Sequence, residues 1–351
     1  MPEAGQFGSR VFAGAGPLGQ IATICNTTQF IWGQQDTLRR EGARWFVDCG
    51  ERMYKNLNAA ALGISGRQSE LIELALTYGF RGLYLPLGEL ARRVRMSGMD
   101  RACRFLASAK IQVGGFDLPI RWLADRPAFE SALVELRETA EVAAKLKATN
   151  CTAVVEPASD HLPYHENFEL HRTRFADIAA VLGANGIKLG LSFRAAHRYR
   201  EGREYPFIHQ AETLLTLIKT IGSPHVGLAL DTWDWYIGGG GMDQLRDLPC
   251  QQITSVRLAD APAAAELACI NEDQRMLPGE GGMIDCAAIF RHLADIKYAG
   301  PVTLNTHPAQ FAGMTRDAIV QKTSAVLDGL WRSAGLTPTG RADVVRAAAH
   351  V

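Results

Sequence analysis

From about residue 59 onward, one alternation governs the sequence: short apolar, β-rich runs give way to longer helical patterns, eight times in succession. The runs are ALGIS (61–65), GLYLPL (82–87), IQVGGFDLPI (111–120), CTAVVEP (151–157), IKLGLSF (187–193), VGLALD (226–231), ITSVRLAD (253–260) and PVTLNT (301–306). Between them, apolar residues recur at helical spacing. Phe129, Leu133, Leu136, Ala140 and Ala143 step along one helix face. A basic helix is expected near Arg92 to Leu106, and Gly183 and Gly186 read as a helix C-terminus. Runs that are apolar nearly throughout, rather than at alternate positions, suit a parallel sheet covered on both faces. Eight strand–helix units in about 250 residues are the size of a (β/α)8 barrel. A doubly wound open sheet is the rival, but no GxGxxG follows the first strand. The expectation is an α/β chain folded as a closed barrel over residues 53–335, followed by a tail at 336–351.

Residues 1–52 do not join the repeat. They hold Gly-rich and polar stretches without periodicity, and Met53 stands just ahead of the first strand–helix unit. Two readings stay open: an irregular N-terminal extension, or a natural start at Met53. With 37 basic and 37 acidic residues the formal charge is zero, which offers no field for a polyanion. Nucleic acid and membrane surfaces are therefore not expected as partners, and no apolar run reaches the roughly 18 residues of a span. Seven dispersed cysteines without a CxxC suit reduced thiols and a cytoplasmic location.

Barrel chemistry sits at the C-terminal ends of the strands. The residues there are Ser65 to Gln68 on strand 1, Phe116-Asp117 on strand 3 and Glu156-Pro157 on strand 4. Strand 5 ends at Ser192-Phe193, with Arg194 and His197 beyond. Asp231 closes strand 6, Arg257 and Asp260 lie on strand 7, and Asn305-Thr306-His307 ends strand 8. An unpaired buried aspartate is costly, so Asp231 points to a site. Trp233 and Trp235 could wall a pocket, and Gly238 to Gly241 would let backbone approach a ligand. The competing reading is an Asp231 that caps the next helix, with tryptophans packing the rim. Arginine pairs bidentately with carboxylate or phosphate, so Arg67, Arg194, Arg257 and Arg275 suit an anionic guest. Alternatively, Arg257 pairs internally with Asp231 or Asp260. His161, His165 and His171 are expected to decorate a loop and a helix start.

VGLALDTWDW and RMLPGEGGMID (275–285) resemble two elements of the xylose isomerase-like barrels, and PVTLNT followed by a last helix also corresponds. That family includes sugar-phosphate isomerases and epimerases, inosose-processing enzymes and endonuclease IV. The resemblance spans about residues 59–332. It implies a divalent metal held by Glu, Asp, His and Glu from the ends of strands 5 to 8, with the glutamates as acid and base. This chain presents Ser192, Asp231, Arg257 and Asn305 at those places, and Asp234 where a histidine usually follows. One ligand of four remains. A carboxylate with an amide and a hydroxyl is a poor site for Mn²⁺, Mg²⁺ or Zn²⁺. The balance falls against a metal, although Glu156, Asp234, His197, Asp260 and His307 could supply a replacement set.

The resemblance implies proton transfer next to a carbonyl of a sugar, ketose or cyclitol. Glu156 and Asp231 are then the acid and base candidates. Arg67, His197, Trp233, Arg257, Arg275, Asn305 and His307 would contact the substrate. A barrel that binds a sugar-like ligand or a partner without catalysis is the alternative. A divergent nuclease is disfavoured by the neutral charge, and homo-oligomerisation stays open.

Overall fold

A computed structural model describes residues 52–337. Eight parallel strands close into a ring: β1 (Tyr54–Leu57), β2 (Gly82–Tyr84), β3 (Gln112–Asp117), β4 (Asn150–Val155), β5 (Lys188–Phe193), β6 (Val226–Asp231), β7 (Ile253–Leu258) and β8 (Pro301–Leu304). Each strand pairs with its neighbours in sequence, and β1 pairs with β8 to complete the barrel. The helices that follow are α1 (Gln68–Thr77), α2 (Leu87–Ser97), α3 (Met99–Ser108), α4 (Arg126–Lys145), α5 (Tyr164–Gly183), α6 (Ala211–Ile221), α7 (Thr232–Ile237), α8 (Met242–Arg246), α9 (Cys286–Asp295) and α10 (Arg316–Ser333). The β6 strand is buried along its whole length, as its unbroken apolar run requires. Questions about residues 1–51 and about the tail beyond Thr337 lie outside the described residues.

The first strand is not where the apolar pattern puts it. ALGIS forms a turn of 3-10 helix (Ala60–Leu62) that ends on Gly63 at φ 74°, a conformation suited to glycine. The strand is YKNL, whose polar residues disguise it. Lys55 is buried because its Nζ donates to Asp328 (2.7 Å) and Ser324 (3.0 Å) of α10. Asn56 is buried because its amide donates to Thr303 Oγ1 of β8 at 3.0 Å. The expected basic helix also divides in two, at Gly98 (φ 79°).

Asn56 sits against the neighbouring strands so closely that glycine is required beside it. A Cβ at Gly114 of β3 would lie 2.0 Å from Asn56 Oδ1, and one at Gly82 of β2 would lie 2.6 Å away. Gly114→Ala should therefore destabilise the barrel by about 1–3 kcal/mol, the usual cost of overpacking. Urea unfolding checks this. An unchanged midpoint would mean that the Asn56 side chain moves aside without loss.

Candidate active site at the C-terminal end of the barrel

Asp231 is the last residue of β6 and the N-cap of α7. Its Oδ1 accepts the backbone N–H groups of Trp233 (3.1 Å) and Asp234 (3.2 Å), which a helix N-terminus would otherwise leave unmatched. The same oxygen accepts from Arg275 Nη1 at 2.8 Å, and Oδ2 accepts from the Asn305 amide at 2.6 Å. Arg275 Nη2 donates to Asp234 Oδ2 at 2.5 Å, while Asp234 Oδ1 accepts from Ala195 N–H at 2.9 Å. One guanidinium thus lies between two carboxylates, and all three side chains are at most 10% exposed. Its Cζ stands 4.4 Å from the Trp233 ring centroid, a cation–π contact worth up to about 2 kcal/mol when dry.

The charges respond to this enclosure. Burial favours the protonated form of Asp231, but the Arg275 guanidinium outweighs it and holds the carboxyl below its usual range. For Asp234, burial dominates, and repulsion from Asp231 adds to it against the attraction of Arg275. That carboxyl is pushed up to about 6.

The loop that delivers Arg275 is organised by Asp260. Its Oδ1 accepts the N–H groups of Ala261 (2.7 Å) and Ile284 (2.8 Å), and its Oδ2 those of Gly279 (3.2 Å), Gly281 (3.1 Å) and Gly282 (2.7 Å). Asp260 is fully buried and saturated by backbone, so it is a scaffold for the loop rather than a ligand. His307 N–H donates to the Arg275 carbonyl at 3.1 Å, which ties the loop to the end of β8.

Arg257 behaves differently from expectation. It is in register with Asp231 across β6 and β7, so the two share one end of the barrel. Yet the ion pair of Asp231 is with Arg275. Arg257 reaches instead toward β2 and β3 on the opposite side of the ring. Its Nη2 donates to Tyr84 Oη at 3.2 Å and lies 3.8 Å from Asp117 Oδ1. Tyr84 Oη donates to the same Asp117 oxygen at 2.7 Å. Asp117 is 76% exposed, whereas burial, assisted by the neighbouring Asp117 charge against the pull of Arg257, raises the Tyr84 phenol far above its usual range. Asp117 was among the strand ends read from the sequence, but Tyr84 was not. Tyr84 ends a three-residue strand, and nothing in the spacing aims it at β7.

The remaining candidates scatter. Arg67 is exposed ahead of α1, and His197 is exposed in a 3-10 turn after β5. Glu156 is half-buried after β4 and lines a separate cavity with His171. Two of the four glycines after α7 serve packing: a Cβ at Gly240 would lie 2.5 Å from Trp235, and one at Gly238 2.5 Å from Phe193, whereas one at Gly239 or Gly241 would meet nothing within 4 Å. Trp233 and Trp235 are core residues, so they pack the rim rather than wall a pocket. His171 is buried in α5 and is no surface decoration.

The donor set does not fit a divalent metal. Asp231 has both oxygens engaged, Asp234 is bound to a guanidinium, and Asn305 turns its N–H toward Asp231. Among the described residues, no three His, Cys, Asp or Glu side chains gather to hold an ion.

Residues 72–329 match the family described as the xylose isomerase-like TIM barrel, and the chain belongs to that family. A xylose isomerase domain protein from Alicyclobacillus acidocaldarius is 24% identical with TM-score 0.73, covering 80% of this chain and 99% of that one. An IolI protein with a bound zinc atom is 14% identical with TM-score 0.66, covering 81% and 98%. A D-psicose 3-epimerase from Clostridium cellulolyticum, solved with D-tagatose, is 15% identical with TM-score 0.62, covering 80% and 99%. At these identities the likenesses establish the fold alone. No curated protein matches the sequence. Among the described residues, no helix is long and apolar enough to cross a membrane.

The electrostatics yield a test with a definite sign. Arg275→Gln leaves two buried carboxylates facing each other without a cation, and breaking such a pair costs about 3–5 kcal/mol. Asp234 already has a folded-state value raised above its unfolded one, and losing Arg275 raises it further. A raised carboxyl is stabilising below the unfolded value, and that gain is lost as pH rises through the folded value. The variant should therefore be nearer the wild type in stability at pH 5 than at pH 8. Equal losses at both pH values would contradict the pairing.

Proposed function

We propose that the protein is a metal-independent member of its family that binds a sugar, ketose or cyclitol at the C-terminal end of the barrel and moves a proton next to the carbonyl. The observation that carries this reading is the Arg275 guanidinium lodged between Asp231 and Asp234, where the family resemblance would put a cation. A fixed positive charge thus stands in that place without an ion.

Arg257 supplies the electrophile. A guanidinium has five N–H donors. Among the described residues it meets Tyr84, by a hydrogen bond to the hydroxyl and with the ring centroid 5.6 Å away, and approaches Asp117 at 3.8 Å, so it can donate to a carbonyl oxygen in the barrel mouth. Asp117, beside Arg257, is the carboxylate left to act first as base and then as acid. It takes the proton from the carbon beside the carbonyl, the negative charge of the enediolate settles on the oxygen held by Arg257, and the proton returns to carbon or oxygen. Asp231 acts by holding Arg275 and Asn305 in place, because its own oxygens are committed. Asn305 and His307 frame the same end of the pocket.

A second reading follows from the same commitment of Asp231: a barrel that binds a sugar-like ligand without turning it over. Proton exchange separates the two. Protein dialysed against EDTA should incorporate deuterium from D2O at the carbon next to the carbonyl of a pentulose, a hexulose or an inosose, followed by NMR. Arg257→Met should slow this at least tenfold. Exchange that appears only with added Mn²⁺ would overturn the metal-independent reading, and no exchange with any of the three would favour binding alone.

A further inference from the structure

A second cavity, of about 180 Å³, opens beneath the loops that follow β4 and β5. Its walls include Glu156, Ser159, Asp160, Asn167, His171 and Arg203. The two loops are joined over it by a short antiparallel pair, Ala158–Ser159 with Tyr205–Pro206. Arg203 Nε donates to Asp160 Oδ1 at 2.8 Å, so the rim charges largely neutralise each other. The cavity lies on the face that carries chemistry in barrel enzymes, apart from the Asp231–Arg275 group.

His171 is the unusual wall. It is 1% exposed, and its Nδ1 lies 2.8 Å from the Asn167 carbonyl. A carbonyl only accepts, so Nδ1 carries the proton, and Nε2 is left with a lone pair. That Nε2 is buried and, among the described residues, has no hydrogen-bond partner. Burial favours the neutral ring and pushes its value down to about 4, so the lone pair is present at neutral pH. A buried acceptor left unmatched carries its full desolvation penalty. Phe207 and Phe175 pack the ring at 4.9 and 5.5 Å between centroids, which fixes its orientation.

We infer that this cavity is a binding site for a neutral polyhydroxylated small molecule, one hydroxyl of which donates to His171 Nε2. His171 and the half-buried Glu156 are among its walls, and an unmatched imidazole acceptor next to a carboxylate calls for a ligand rich in O–H donors. The apolar side chains of Leu123, Leu162 and Leu170 suit the C–H face of such a molecule. An anion is refused, because it would bring its charge against Glu156 and a lone pair, while Arg203 is already matched by Asp160. The inference goes beyond the proposed reaction and stands without it, since it uses neither Arg257 nor Arg275.

Long-range ¹H–¹⁵N spectra of the full chain resolve the unprotonated Nε2 of each histidine. Titration with glycerol, xylitol, myo-inositol or D-fructose should shift the His171 Nε2 resonance upfield and saturably for at least one of them. Leu162→Trp, which fills the cavity without touching His171, should weaken that binding at least tenfold. His171→Phe should abolish the binding, read by calorimetry with the same polyol. Three results would overturn the site: no saturation with any of the four, a shift that grows linearly and equally at the exposed His165, or saturation of the same resonance by inorganic phosphate. Loss of proton exchange in Arg257→Met with polyol binding intact would separate this site from the reaction.

Discussion

The guanidinium of Arg275 between Asp231 and Asp234 is the interaction on which the functional end of this barrel rests. Two carboxylates this deep cannot both be ionised without a cation. The protein supplies the cation covalently, from its own loop. Each part is then tied to the backbone: Asp231 caps α7, Asp234 accepts from Ala195 N–H, and His307 N–H holds the Arg275 carbonyl. Asp260 gathers five backbone N–H groups and so fixes the loop that carries the arginine. A metal at these carboxylates would have to displace the Arg275 guanidinium and the Asn305 amide.

The consequence for chemistry is a division of labour between two arginines. Arg275 is consumed in holding the end of β6 together. Arg257 crosses the mouth of the ring to Tyr84, and in the proposed reaction its remaining donors face the guest. A guanidinium can stabilise a developing oxyanion as a Lewis acid would, but through directed hydrogen bonds. Its geometry is fixed by Tyr84 and Asp117, contributed by strands on the far side of the ring.

Most of the barrel is legible in the sequence because its strands are apolar throughout and its helices keep their period. The exception is β1, where Lys55 and Asn56 satisfy themselves through α10 and β8, partners more than 240 residues away. The site was legible as a set of strand ends but not as a set of contacts. Asp231 announces itself by closing an apolar strand. Its partner does not, because Arg275 arrives from a loop whose path depends on Asp260, and neighbouring strand order alone favours Arg257. Tyr84 and His171 were hidden for a related reason: an aromatic in a short strand and a histidine on a helix both look like ordinary packing until the side chain's partner, or its lack of one, is seen.

Thermal unfolding with and without divalent ions tests the central claim most directly. A ligand that binds only the folded state must raise the melting temperature. If the Arg275 guanidinium fills the cation position, EDTA-treated protein should melt at the same temperature with and without excess Mn²⁺, Mg²⁺ or Zn²⁺. A saturable rise with any one of them, abolished by Asp231→Asn, would contradict the account and restore a metal to the end of β6.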